Sequence, residues 1–156
     1  MFESLRHRHH LSLHTPLFQR FVYATWLYSL LAFINAVVCI VANMKVTFWG
    51  WQSNLTVLQD FLFGPGTALS PPLVVIVAMP ILVDLTFRHT SFAKVAMLLI
   101  AMLSIVNSAA ALFQPLLMSN NFGFVYTALH LIMIVLPVVV MWLAAEVFFV
   151  RINTHQ

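Results

Sequence analysis

Gln52, Asn54, Thr56, Gln59 and Asp60 fall within nine positions of an otherwise apolar chain, and Asn107 and His130 add an amide and an imidazole further along. These residue types have a definite chemistry. A carboxylate holds a proton or a cation, and a neutral imidazole serves as base or proton relay. Amides and hydroxyls orient a ligand by hydrogen bonds. Gathered in one cavity, the seven would form a polar pocket inside an apolar protein. A carboxylate at membrane depth is costly and is a functional feature by default. The plainer reading of Asp60 is exposure at a membrane surface. The plainer reading of His130 is a hydrogen bond between helices. No catalytic set is complete, so the catalytic residues are unknown. No motif implies a cofactor, and no cluster of residues has the spacing of a metal site.

The chain has 156 residues, 62% hydrophobic and 7% charged, with a mean hydropathy of +0.98. A soluble domain carries roughly 25% charged residues. This chain has too few polar groups to cover its surface, so lipid is the expected solvent. A net charge of +3 on such a chain reads as an orientation signal and not as a nucleic-acid footprint. The expected partner is membrane lipid, with a protein partner or a second copy left open. Cys39 is the single cysteine and lies in an apolar run, which excludes an intramolecular disulfide.

These polar residues need elements to hold them. Apolar runs cover about 21–42, 71–87, 92–118 and 124–150, and a shorter, more polar run covers 49–63. A helix needs roughly 20 apolar residues to cross the hydrocarbon core. Only helices and closed barrels satisfy their backbone groups in lipid. The expected fold is therefore all-α: a polytopic membrane helix bundle with four transmembrane helices and a short amphipathic helix, which is either a fifth span or interfacial. Residues 1–20 read as a basic, histidine-rich cytosolic arm, 21–150 as the membrane domain and 151–156 as a cytosolic tail. Within 49–63, Gln52, Thr56, Gln59 and Asp60 have the spacing of one helical face, and Trp51, Leu55, Leu58 and Leu62 that of another. The polar face is expected to meet polar groups or water.

Charge discriminates between the crossing numbers. With four crossings and a cytosolic N-terminus, Arg6, Arg8, Arg20, Arg88, Lys94 and Arg151 are inside and Lys45 is outside. With five, Arg6, Arg8 and Arg20 face Lys45, Arg88, Lys94 and Arg151 across the membrane. The first arrangement follows the positive-inside rule and the second does not.

Ser53-Asn54-Leu55 is followed by a later helix with His130, Val135-Leu136-Pro137 and Trp142-Leu143. In these motifs the chain resembles the Pr6Pr family of bacterial membrane proteins and its distant eukaryotic relatives, the androgen-induced hydrolase-like proteins. The resemblance implies a bacterial cell membrane and a crossing second segment. Some of those relatives hydrolyse lipid esters with a threonine and a histidine. Aligned on Asn54, however, Trp51 stands at the threonine position. His130 precedes Pro137 by seven residues, which departs from the family's spacing. The expected function is that of a small membrane protein with a binding, subunit or immunity-type role. The alternative is a lipid-ester hydrolase or small transporter using a pocket around Asp60 and His130.

Overall fold

The computed structural model describes residues 16–45, 47–48, 51–88, 95–96, 98–103, 105–106, 109 and 124–153. Helix α1 is Pro16–Val41. Proline suits its first turn, where a missing N–H costs nothing and φ is already helical. Strands β1 (Thr47–Phe48) and β2 (Trp51–Gln52) pair antiparallel, Thr47 opposite Gln52 and Phe48 opposite Trp51. Helix α2 is Val57–Phe63, α3 is Leu73–Arg88 and α4 is Phe124–Asn153. The described parts of 95–109 are helical as well.

Packing fixes the order of these elements in space. α1 lies against both α3 and α4, and α2 touches α1 and α3. Near the end of α1, Cys39 and Ile40 share an apolar cluster with Met44, Val57, Ala68 and Leu69, and Tyr126 and Leu129 from the start of α4 pack on it. α1 and α4 therefore run antiparallel. α3 begins just after the segment that packs on Cys39, so it runs back along α1. A larger core joins Phe21, Tyr28 and Ala32 of α1 to Phe61, to Met79 and Val83 of α3 and to Met133 and Val140 of α4. The chain positions Arg20, Arg88 and Arg151 thus fall at one end of the bundle and Lys45 at the other.

α1 and α4 are long and apolar enough to cross a membrane, and less than half of each span is buried. Their outer faces carry large apolar side chains, including Trp26, Leu30 and Val37 on α1 and Leu131, Val135 and Val138 on α4. A surface helix of a soluble protein would be polar there. Both α3 and α4 contain an internal proline, Pro80 and Pro137, of a kind that membrane helices tolerate.

Several expectations are corrected. The described residues hold two spans rather than four. α3 has 16 residues and extends about 24 Å at 1.5 Å per residue, short of a full crossing. Much of 92–118 lies outside the described residues. Helix α1 already includes residues 16–20 of the expected arm, and α4 continues through 151–153 of the expected tail. The largest change is in 49–63. This run is not one helix, because residues 51–52 are a strand and helix starts only at Val57. The helical spacing of Gln52 with Thr56 therefore describes no shared face.

Candidate functional site

The end of the bundle that carries the C-terminus of α1 also gathers buried polar groups. Asp60, on α2, has no exposed surface. Ser53 Oγ donates a 2.7 Å hydrogen bond to Asp60 Oδ1 and accepts one from Leu55 N at 3.1 Å. Lys45 Nζ reaches the Ser53 carbonyl oxygen at 3.3 Å. Asp60 Oδ2 is buried and has no hydrogen-bond partner among the described residues. This geometry overturns the surface reading of Asp60: its side chain faces inward, between the buried Val57 and Phe61.

Local chemistry explains where α2 starts and stops. Thr56 is its N-cap, and its Oγ1 accepts from Gln59 N at 3.2 Å. Gln59 Oε1 in turn accepts from Thr56 N at 3.0 Å. Such a reciprocal box satisfies two backbone donors that the first turn leaves open. At the other end, Gly64 N and Gly66 N both donate to the Asp60 carbonyl oxygen at 3.0 Å. Gly66 has φ +102°, and a Cβ there would lie 2.5 Å from the Ser70 carbonyl oxygen, so the position requires glycine. A Cβ at Gly64 would meet Asp60 Oδ1 at 2.8 Å. Two glycines therefore let the chain fold back tightly on Asp60.

The seven residues expected to share a pocket separate into groups. Thr56 and Gln59 are exposed and bond to each other, so they serve the helix start. Asn54 is exposed in the preceding loop. Gln52 lies in β2, and Asn107 lies outside the described residues. Among those whose burial is described, Asp60 and His130 are buried. His130 sits on α4 one residue beyond Leu129, whose side chain packs on the cluster around Cys39 and Val57.

Two further polar residues, Ser53 and Asn35, are buried. Ser53 fixes the Asp60 carboxyl, and its signal in the sequence was its place in the polar run just ahead of the helix cap. Asn35 on α1 is buried, and neither its amide oxygen nor its amide nitrogen has a partner among the described residues. Val57 packs at the level of Cys39, and the Phe61 ring lies 6.4 Å from the Phe33 ring. Asp60 therefore stands at about the level of Asn35. A carboxyl with one open oxygen can bind a cation, a proton or a hydrogen-bond donor.

No family model, no curated protein and no solved structure matches the chain. Function must be argued from these residues alone.

Proposed function

We propose that the chain is a polytopic integral membrane protein that binds rather than turns over its ligand, as a subunit or immunity-type protein. The observation that carries this reading is the Ser53–Asp60 pair. The single hydroxyl proton of Ser53 is committed to Asp60 Oδ1, and its oxygen already accepts from the Leu55 amide. Ser53 is thus a fixing group rather than a poised nucleophile. Thr56 and Gln59 are spent on the helix cap, and Lys45 Nζ bonds to the Ser53 carbonyl oxygen. What remains is a rigidly held carboxyl with one open oxygen, which is the equipment of a binding site.

The reading places the protein in a bacterial cell membrane with a cytosolic N-terminus. The apolar outer faces of α1 and α4 support the membrane, and the grouping of Arg20, Arg88 and Arg151 at one end supports the orientation. The alternative, a lipid-ester hydrolase or small transporter around Asp60 and His130, draws on the open Asp60 oxygen and the burial of His130. Purified protein in vesicles separates the three. A binding protein hydrolyses no member of a lipid-ester panel and carries no proton or solute flux. Hydrolysis that disappears in Ser53→Ala or His130→Ala would establish the enzyme. Flux that disappears in Asp60→Asn would establish the transporter.

A further inference from the structure

We infer that residues 53–70 form a re-entrant segment. They enter the membrane from the end opposite the arginines, turn at Gly64-Pro65-Gly66, and return to the same end with the outer face of α2 against lipid acyl chains. This inference rests on the membrane reading above.

Three observations carry it. The first is level. Val57, at the start of α2, shares a cluster with Cys39 and Met44, at the end of α1. Phe61 meets Phe33, six residues back along α1 and so about 9 Å deeper at 1.5 Å per residue. Ala68 and Leu69 are again in the Cys39 cluster. The segment therefore descends beside α1 and comes back. Its helix is seven residues long, which rules out a crossing by α2 itself.

The second is backbone satisfaction. Irregular backbone is tolerated at membrane depth only where protein or a cavity surrounds it. Residues 66–70, which make the return, are all buried, while at the turn itself Gly64 is half-buried and Pro65, which has no N–H to satisfy, is exposed. Gly64 N and Gly66 N bond to the Asp60 carbonyl oxygen, Thr67 N to the Ser70 carbonyl oxygen and Ala68 N to the Met44 carbonyl oxygen.

The third is the outward face. Leu58 and Leu62 are exposed, and Phe63, at the deep end, is 87% exposed. They adjoin the apolar outer face of α1, because the Phe33 of the Phe33–Phe61 contact is itself half-exposed on that face. Lipid is the occupant that this continuity selects. On the opposite side of α2, Asp60 is held inward by Ser53, so the helix cannot roll to cover its leucines without breaking that bond.

Nitroxide labels in reconstituted protein test the inference. Cys39→Ala supplies the background, and Leu58→Cys and Phe63→Cys carry the labels. Ile34→Cys on α1 and Val135→Cys on α4 are the span references. Accessibility to oxygen and to a water-soluble nickel chelate reports depth. The expected result is lipid contact at 58 and 63, with 63 deeper by up to about 7.5 Å, the rise over five helical residues. Nickel contact at 58 and 63, with 34 and 135 in lipid, would overturn the inference and leave the membrane reading standing. Equal shallow depth at 58 and 63 would overturn it in favour of a helix lying on the surface. Shielding of both from both reagents would overturn it in favour of a covering protein or second copy. Nickel contact at 34 and 135 would defeat the membrane reading and this inference with it. Photoactivatable lipids on the unmodified protein give an independent measurement, with cross-links expected at Leu58, Leu62 and Phe63.

Discussion

Ser53 and Asp60 are seven residues apart and joined by a 2.7 Å hydrogen bond from the serine hydroxyl to a carboxyl oxygen that no solvent reaches. The bond closes the loop between β2 and α2 and fixes which way α2 faces. Ser53→Ala leaves Asp60 Oδ1 without its donor. The expected loss of stability is roughly 1–3 kcal/mol, the cost of an unsatisfied buried acceptor. Asp60→Asn keeps an acceptor of the same shape and should cost less. The two changes should be non-additive in a double-mutant cycle, read by thermal unfolding in detergent. Additive losses would mean that the bond contributes nothing.

The capping box predicts a second, smaller effect. Thr56→Ala removes the acceptor for Gln59 N and should destabilise by about 1 kcal/mol. Thr56→Ser should retain nearly all of that. Gln59→Ala should cost less than Thr56→Ala, because the Thr56 side chain still caps. A fall in midpoint for Thr56→Ser equal to that of Thr56→Ala would refute the cap.

Gly66 offers the most severe local test. Its φ of +102° and the 2.5 Å approach of the Ser70 carbonyl oxygen leave no place for a side chain. Gly66→Ala should lower stability by about 1–3 kcal/mol, the usual cost of a residue held in a disfavoured backbone region. Unchanged folded yield and midpoint would count against the turn described at Gly64-Pro65-Gly66.

How far the sequence revealed this arrangement depends on the element. α1, α3 and α4 were legible because long uniform apolar runs admit few other structures. α2 was legible only in part. Gln52, Thr56, Gln59 and Asp60 happen to fall at helical intervals, and periodicity alone extended the helix back through Gln52. The competing signal was local: Thr56-x-x-Gln59 is a capping-box pattern, and it marks Val57 as the first helical residue. Asp60 was legible as a candidate for a polar pocket, but its burial was not: a polar stripe can also face water, and the Ser53 hydroxyl that holds the carboxyl lies ahead of the helix, where no helical spacing marks it. Asn35 carries no such signal, because a lone amide in an apolar run shows nothing of whether it finds a partner.

The last prediction concerns sidedness. α1 and α4 run antiparallel, so the N-terminus of α1 and the C-terminus of α4 emerge at the same end of the bundle. That end also carries Arg20, Arg88 and Arg151, while Lys45 lies at the other. Short segments rich in lysine and arginine are retained in the cytosol. A reporter fused after Gln156 should therefore behave as cytosolic, and one inserted after Lys45 should behave as external. Lys45 is one charge against several, so Lys45→Gln should leave this sidedness unchanged. Adding two arginines beside Lys45 should begin to disturb it. An external reporter at Gln156 together with a cytosolic one in the arm would require an odd number of crossings. It would break the antiparallel pairing of α1 and α4 on which the fold depends.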